Sequence, residues 1–171
     1  MNALASEPVE LMDVVDKTDQ VIGTATRPKI YKEFLTHRIV HVLIFNKEGK
    51  MALQLRAKHC SFCPHHWSTT VGGHVQSGET YEEAAEREYL EELGTKSNLE
   101  FFQKDLYSDL RGISMFLATF KASSDGPFTF DDGSVEKVDF FSTEELQEMV
   151  DRGEKFHPEL LFLLRKYFGI N

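Results

Sequence analysis

The sequence GGHVQSGETYEEAAEREYLEELGT occupies residues 72–95 and carries the best-defined structural signal of this 171-residue chain. Thr80 and Glu83 form the Thr-x-x-Glu pattern of a helix capping box, and residues 81–93 are mostly strong helix formers. Gly94 follows at the place where a left-handed residue ends many helices. The stretch therefore predicts a helix over residues 81–93, preceded by a loop that starts with two glycines.

Seven of the fourteen residues from Glu79 to Glu92 are glutamates. Glu88, Glu91 and Glu92 have the spacing i, i+3 and i+4, so at about 100° per residue they share an arc of about 100°. Like charges at these spacings destabilise a helix by about 0.2–0.5 kcal/mol per pair, and a divalent cation would turn the repulsion into ligation. Carboxylate oxygens favour Mg²⁺ or Mn²⁺. The alternative is a glutamate-rich helix face that only contacts water.

Small residues lie on both sides of this glutamate stripe. Ala84 and Ala85 come one turn earlier on roughly the same stripe, and the pair Gly72-Gly73 precedes the helix. A backbone without side chains can come close to a ligand. We therefore expect a metal and a phosphate group to approach the helix here.

Composition limits the class of protein. The chain has 28 acidic and 19 basic residues, a formal net charge of -9, and 41% hydrophobic residues. This charge disfavours duplex nucleic acid as a partner, and no apolar run approaches a membrane span of roughly 18 residues. The start MNALASEPVE lacks a signal peptide, and two cysteines are too few for a disulfide framework. We expect one cytoplasmic domain over residues 1–171, with a loose end at residues 1–9.

Other local patterns predict both strands and helices. Residues 11–15 and 21–26 resemble a hairpin, and Pro28 opens a short helix that carries Ile30, Tyr31 and Phe34. Ser142 with Glu145, and His157-Pro158, begin two further helices. This mixture predicts an α/β (α+β) domain with a sheet packed between helices. Strands are predicted at residues 37–45, 51–55, 67–71, 99–107, 113–120 and 135–141.

The order Gly73, five residues, Glu79, seven residues and REYLEELGT (residues 87–95) resembles the signature of the Nudix hydrolases. The glycines, glutamates and arginine match, while Tyr89 and Thr95 depart from the pattern at packing positions. The surrounding layout most resembles the bacterial branch related to isopentenyl-diphosphate isomerase. The resemblance implies an α/β/α sandwich with a mixed β-sheet and an N-terminal β-hairpin. It also implies hydrolysis of a nucleoside diphosphate linked to another moiety.

The resemblance assigns roles to individual residues. The Gly73 carbonyl, Glu88, Glu91 and Glu92 would bind Mg²⁺ or Mn²⁺, and one of these glutamates would orient the attacking water. Glu79 and Arg87 would support the loop. The expected partner is a small-molecule diphosphate, and dimers are common among such enzymes, so a homodimer is compatible with the resemblance.

A further carboxylate outside the signature often assists in this family. Glu136 is the first candidate, followed by Asp131 and Asp132. For each of them the alternative is a solvated acidic loop without a catalytic role.

Two other functions compete with hydrolysis. The related isomerases use a cysteine at the position of Gly72, and glycine cannot supply its proton-transfer chemistry. His74 does match a metal-binding histidine of the isomerases, and Cys60 or Cys63 could replace the missing thiol. A catalytically silent Nudix domain that binds a ligand or partner would be favoured by missing glutamates, and none is missing.

Cysteines and histidines cluster in residues 59–66. Cys60 and Cys63, with His59, His65 and His66, are zinc-type donors, but a second cysteine pair is absent and the last two histidines are adjacent. A substrate-facing loop with free thiols is therefore favoured over a zinc site.

Four more side chains have two interpretations each. His41 alternates with apolar neighbours, which favours a hydrogen-bonded histidine inside the sheet over a ligand. Phe45, Phe62 and Trp67 could stack on a base, although packing in the core is the favoured interpretation.

Overall fold

The computed structural model describes residues 9–171, so the loose end predicted for residues 1–9 lies almost wholly outside the described residues. Within the described range, nine strands and four helices follow one another. They are β1 (Leu11–Val15), β2 (Val21–Thr26), α1 (Arg27–Glu33), β3 (His37–Phe45), β4 (Met51–Arg56), β5 (Trp67–Thr69), β6 (Val71–His74), α2 (Tyr81–Leu93), β7 (Glu100–Ser108), β8 (Ser114–Ser123), β9 (Val135–Phe141), α3 (Thr143–Asp151) and α4 (Pro158–Tyr167).

Two sheets organise these strands. Strands β1 and β2 form the predicted antiparallel N-terminal hairpin. The other seven form a mixed sheet with the order β5-β4-β3-β8-β7, in which β6 also pairs with β3 and β9 with β4. The β3–β8 pair is parallel, whereas β6 and β9 are antiparallel to their partners. The mixed sheet predicted from the sequence is thus confirmed.

Side chains of the central strand alternate between two cores, as the period of a strand requires. Val40, Val42 and Ile44 of β3 are buried in a cluster with the apolar residues of α2. Leu43, between them, is buried in a second cluster with residues of α3 and α4. The sheet therefore lies between α2 and the α3–α4 pair, which confirms the α/β/α sandwich.

The structure corrects two local predictions. Phe34 is not part of α1, because it takes the left-handed conformation (φ 57°) that ends the helix, and its side chain is 54% exposed. The predicted strand at residues 67–71 is two strands, since β5 pairs with β4 while β6 pairs with β3. Strands β3 and β4 are paired with each other only at Phe45 and Met51, because β3 pairs along its length with β6 and β8.

The N-terminal hairpin holds the loop before α2. The Asp13 carboxylate accepts hydrogen bonds from the Ser77 hydroxyl (2.8 Å) and the Gly78 amide (3.3 Å). Asp19 accepts one from the Tyr81 hydroxyl at 2.8 Å. These contacts fix the loop and the first turn of α2 relative to the sheet.

Candidate metal and phosphate site

Helix α2 begins and ends as its sequence predicts. The Glu83 amide donates to Thr80 Oγ1 (3.1 Å), and the Thr80 amide donates to Glu83 Oε2 (2.8 Å), which completes the capping box. Gly94 has φ 66°, and its amide donates to the Leu90 carbonyl at 2.9 Å. The helix is thereby fixed in register, and with it the direction of each glutamate.

Ala84 and Ala85 do not leave room for a ligand, which corrects the prediction made for them. Both are fully buried against Val40 and Val71 of the sheet, together with Tyr89. Their small side chains allow α2 to lie close to the sheet. Tyr89, a departure from the family pattern, has the packing role predicted for it.

Arg87 connects the loop to the helix. Its guanidinium donates to both oxygens of Glu79, from Nε at 2.6 Å and from Nη2 at 2.9 Å. Nη2 also donates to the His74 carbonyl (3.0 Å), and Nη1 to Glu88 Oε1 (2.9 Å) and Glu91 Oε2 (3.3 Å). Such a planar fork can hold three carboxylates and a carbonyl in fixed positions. The contacts show the loop-supporting geometry predicted for Glu79 and Arg87.

The three glutamates of the stripe differ in burial. Glu88 is four residues after Ala84 and three after Ala85, so it is on the same face of the helix and points toward the sheet. Its side chain is 13% exposed. Glu92 continues the same line and is partly buried, whereas Glu91 points outward and is 58% exposed. Two carboxylates are therefore in the groove between α2 and the sheet, and the third is at its rim.

Burial makes the two inner carboxylates hard to ionise. Burial raises the pKa of Glu88 to about 7, although the charge of Arg87 acts against this rise. Burial, and secondarily the charge of Glu88, raises the pKa of Glu92 to about 8. Glu92 forms no ion pair with any residue in the range 9–171. A bound cation would supply the positive charge that Glu92 lacks.

Gly73 is placed where no side chain fits. It lies on β6 opposite Val40, and a Cβ atom on it would overlap the Glu88 carboxylate. The backbone of residue 73 and the Glu88 carboxylate are thus in one small space. Oxygen donors of this kind suit Mg²⁺ or Mn²⁺. Within residues 9–171, no three His, Cys, Asp or Glu side chains form a ready-made metal cluster, and Glu88 and Glu91 are bonded to Arg87 instead.

A cleft of about 1070 Å³ extends from the glutamates across the edge of the sheet. Its far wall contains a buried pair, in which His41 Nε2 contacts Glu159 Oε2 at 2.7 Å and His41 Nδ1 contacts Thr69 Oγ1 at 2.8 Å. His41 is therefore hydrogen-bonded inside the sheet, as predicted. Next to it, the Tyr31 hydroxyl contacts His74 Nε2 at 2.7 Å.

The candidates for a carboxylate outside the signature are placed differently. Asp131 and Asp132 line the cleft, and the charge of Asp132 contributes to the raised pKa of Glu92. Glu136 is not among the residues that line the cleft, and its carboxylate is 3.4 Å from His65 Nδ1. Side chains alternate along β9, so Glu136 faces away from its neighbour Val135, which does line the cleft.

The cysteine and histidine segment does not form a cluster of three metal donors in the described part of the chain. Cys60 and Cys63 are free thiols, and Cys60 Sγ donates to the Ser134 carbonyl at 3.4 Å. Trp67 is buried against Phe141, and Phe45 packs against Phe168. These two rings have the core positions that were favoured for them.

Sequence reasoning missed the residues of the far wall. Arg27, Arg56, His157 and Glu159 all line the cleft. Arg56 Nε donates to the Phe62 carbonyl at 3.1 Å. Burial lowers the pKa of His157 to about 4, so the ring is neutral near pH 7. Glu159 is in the first turn of α4, where acidic residues are common because they interact favourably with the helix dipole. Its position in the sequence therefore gave no specific sign of a role in the cleft.

Comparison with known proteins shows the family. The NUDIX domain family matches residues 35–164. An uncharacterised Nudix hydrolase of Pseudomonas aeruginosa is 30% identical over 163 residues, which are 95% of this chain and 96% of the relative. The uncharacterised Nudix hydrolase YfcD of Escherichia coli K12 is 30% identical over 162 residues, with 95% and 88% coverage.

A solved structure is similar along most of the chain. The crystal structure of DR0079 from Deinococcus radiodurans superimposes with a TM-score of 0.77 at 27% identity, over 92% of this chain and 98% of that protein. Among residues 9–171, no helix is long and apolar enough to cross a bilayer. The relation to isopentenyl-diphosphate isomerase stays a prediction. The matches over most of its length show that the chain belongs to the Nudix hydrolase family.

Proposed function

We propose that this protein is a divalent-metal-dependent hydrolase that cleaves a phosphoanhydride bond in a nucleoside diphosphate-type substrate. The observation that carries the proposal is the pair Glu88 and Glu92, which are both partly buried. The Glu88 carboxylate lies against Gly73, and Glu92 has no ion pair among residues 9–171. The cleft that starts at this pair is large enough for a small-molecule substrate. A cytoplasmic location and a homodimer stay predictions from the sequence.

In this proposal the Gly73 carbonyl, Glu88, Glu91 and Glu92 hold Mg²⁺ or Mn²⁺. Arg87 supports them by fixing the loop through Glu79 and the His74 carbonyl. Glu91 is exposed at the rim, where its side chain can turn toward a cation without losing a buried contact. The chain thus contributes two rigid carboxylates and one adjustable carboxylate.

The chemistry then needs no covalent nucleophile from the protein. A bound divalent cation would neutralise the diphosphate and lower the pKa of a water molecule. One of these glutamates would orient that water.

A carboxylate outside the signature would assist from another part of the cleft lining. The positions favour Asp132 or Asp131 over Glu136, because only the two aspartates line the cleft. Asp132 is held by the Ser134 amide (2.9 Å) and hydroxyl (2.6 Å), which keep its pKa low and the group ionised. We therefore propose Asp132 as the first of these to test.

The isomerase alternative is disfavoured at Gly72. A Cβ atom there would be 3.0 Å from His41 Nδ1 and 3.2 Å from the Val40 carbonyl oxygen, so a cysteine side chain would need these neighbours to shift. Neither Cys60 nor Cys63 lines the main cleft. A cysteine thiol of the kind that the related isomerases use is thus missing among the described residues that line the main cleft.

A panel of diphosphate compounds assayed with Mg²⁺, and again with excess chelator, tests the proposed function. The expected result is product release from at least one nucleoside diphosphate compound that stops when the metal is removed. In deuterated buffer, isopentenyl diphosphate should not exchange protons. Enzymatic exchange without hydrolysis would establish the isomerase instead, and no turnover of any compound would favour a silent binding domain.

A further inference from the structure

Most arginines of this acidic chain are paired with carboxylates. The chain has 28 acidic and 19 basic residues, and seven of the basic residues are arginines. Four arginines form ion pairs with aspartate or glutamate, namely Arg38, Arg87, Arg111 and Arg152. Arg27, Arg56 and Arg165 form no ion pair within residues 9–171. Two of these three, Arg27 and Arg56, line the far wall of the main cleft.

The two cleft arginines also have hydrogen-bond donors without protein acceptors. Arg56 ends β4, and its Nε donates to the Phe62 carbonyl at 3.1 Å, while Nη1 and Nη2 donate to no described residue. The Arg27 guanidinium is exposed and makes no hydrogen bond within residues 9–171. A guanidinium presents its donors as a planar fork that matches the oxygens of a phosphate or a carboxylate. Both groups are therefore free to bind an anion.

Two aromatic rings connect these arginines along the wall. The Tyr31 ring centre is 6.0 Å from the Arg27 guanidinium carbon and 5.7 Å from that of Arg111. The Phe62 ring centre is 5.4 Å from the same carbon of Arg111, and the Phe62 carbonyl is the acceptor of Arg56. Phe62 is 44% exposed, so it does not have the core position favoured from its sequence. Three guanidinium groups thus gather around two rings.

The carboxylates in this region already have partners. Asp109 Oδ2 binds Arg111 Nη2 at 2.7 Å, and Glu159 Oε2 contacts His41 Nε2 at 2.7 Å. Glu159 lines the cleft and would repel an anion that approached it. A single guanidinium would be offset by this repulsion, whereas Arg27 and Arg56 together leave an excess of positive charge. An anion is therefore expected to contact both arginines.

The charge and shape of the anion follow from this pair of arginines. A phosphate monoester carries about −1.5 to −2 charges at pH 7 and has three acceptor oxygens. Two guanidinium groups match that charge and can donate to all three oxygens. A carboxylate or a phosphodiester carries only one negative charge, so it would gain less from the second arginine. The far wall therefore fits a phosphate monoester best.

We propose that Arg27 and Arg56 bind a phosphate monoester of the substrate, separate from the phosphoanhydride bond that is cleaved. This proposal rests on the proposed function, because it places the scissile bond at Glu88 and Glu92. It specifies the substrate class as a diphosphate compound that carries an additional phosphate group away from the scissile bond.

Chemical modification of the arginines tests the site without turnover. Phenylglyoxal reacts with guanidinium groups, and peptide mass spectrometry gives the initial rate at each arginine. The full-length protein is treated in excess chelator with glycerol 2-phosphate, dimethyl phosphate or acetate at equal ionic strength. We expect glycerol 2-phosphate to slow modification of Arg27 and Arg56 severalfold, and the two singly charged anions to have a much smaller effect. Arg165 is the internal control, because it is exposed on α4 and lines neither the main cleft nor the smaller cavity beside Arg111.

Arg27→Gln tests whether both arginines hold one phosphate. The concentration of glycerol 2-phosphate that half-protects Arg56 should rise at least about tenfold, as expected for loss of a charge-assisted hydrogen bond. Arg165→Gln is the matched control and should leave this concentration unchanged. Melting temperatures show whether both variants are folded.

Turnover connects the site to the substrate. The diphosphate panel then includes pairs of compounds that differ only in a phosphate monoester away from the scissile bond. In at least one pair, the phosphorylated compound should have a kcat/KM at least about tenfold higher than its partner. Arg27→Gln should reduce this ratio severalfold, whereas Arg165→Gln should not.

Several outcomes would overturn the inference. These are equal protection by acetate or dimethyl phosphate, equal protection of Arg165, no protection of the cleft arginines, undiminished protection of Arg56 in Arg27→Gln, or equal kcat/KM within every pair. Because the modification is measured without metal, its failure leaves the hydrolase proposal standing. No turnover of any compound would instead overturn the proposed function and the assignment of this phosphate to a substrate, even if the arginines were protected.

Discussion

Replacing Glu92 with glutamine should stabilise the metal-free protein while it damages the site. Glu92 is partly buried, and its carboxylate repels that of Glu88. Its pKa rises from the ordinary 4.5 to about 8, so the folded state binds more protons than the unfolded state between these pH values. The wild type therefore loses stability as the pH rises through this window, whereas a glutamine has no charge to lose.

The expected size follows from this pKa. At about 1.4 kcal/mol per pH unit, ionised Glu92 lowers the free energy of unfolding by roughly 4–5 kcal/mol at pH 8.5 and by about 1 kcal/mol at pH 5.5. Part of this loss of stability comes from the repulsion between the Glu88 and Glu92 carboxylates, so it is a property of the two groups together. For a chain of this size, the melting temperature of Glu92→Gln should exceed that of the wild type by about 10 °C at pH 8.5 and by about 3 °C at pH 5.5.

Thermal denaturation in excess chelator at both pH values measures the effect. Glu91→Gln is the matched control, since its side chain is 58% exposed and water screens its charge. It should change stability by less than about 1 kcal/mol at either pH. In millimolar Mg²⁺ the order should reverse, because the cation stabilises the wild type more than Glu92→Gln. A Glu92→Gln protein that is less stable than the wild type at pH 8.5 in chelator would refute this reasoning.

Three further predictions concern neighbouring groups. Arg87→Lys keeps the positive charge but loses the guanidinium group that holds Glu79 and Glu88 together. The free energy of unfolding, measured by urea denaturation, should therefore fall by about 2–3 kcal/mol. Gly73→Ala should lower turnover roughly tenfold to a hundredfold, because its methyl group would displace the Glu88 carboxylate, whereas Gly23→Ala, with open space, should not. Burial holds the pKa of His157 at about 4, against about 6.5 when unfolded, so the unfolded state binds more protons below pH 6.5. The stability of the wild type relative to His157→Asn should therefore fall by about 3 kcal/mol from pH 7 to pH 4.

Each of these three predictions has a clear contradicting result. An Arg87→Lys protein with wild-type stability would show that the fork is not needed to hold the loop. Wild-type turnover of Gly73→Ala would remove residue 73 from the site. A stability difference between wild type and His157→Asn that does not change with pH would show that the buried ring is protonated as easily as in the unfolded chain.

Local sequence signals predicted helix α2 correctly because its determinants are within a few residues of each other. Thr80 and Glu83 satisfy each other's backbone amides, and Gly94 closes the last turn. The split of the predicted strand at residues 67–71 depends on distant partners instead. Pairing with β4 and with β3 decides where β5 ends and β6 begins, and no short pattern contains that information.

The helical spacing of the glutamates identified the stripe, but it could not show which part of the protein packs against that face of α2. The spacing placed Ala84, Ala85, Glu88 and Glu92 on one side of the helix, and the sheet occupies that side. The alanines are consequently in the core, while the glutamates, one and two turns later, reach the edge where the cleft opens. The spacing of these residues in the sequence would be the same if a ligand, and not the sheet, covered the alanines.

The far wall of the cleft could not be predicted from local patterns. His41 and Glu159 are 118 residues apart in the chain and meet only because β3 and α4 pack together. Arg111 reaches Phe62 in the same way, from a turn between β7 and β8. Glu136 was a reasonable candidate by composition, but strand alternation turns it away from the cleft.

The central claim is that the carboxylates of α2 hold the metal used for hydrolysis. Turnover of the best nucleoside diphosphate compound by wild type and Glu92→Gln at saturating Mg²⁺ tests it most directly, with melting curves to show that both proteins are folded. If the Glu92 carboxylate binds the metal that stabilises the transition state, its replacement should lower kcat by at least about a hundredfold. Near-normal turnover of Glu92→Gln would contradict the account and remove α2 from the chemistry.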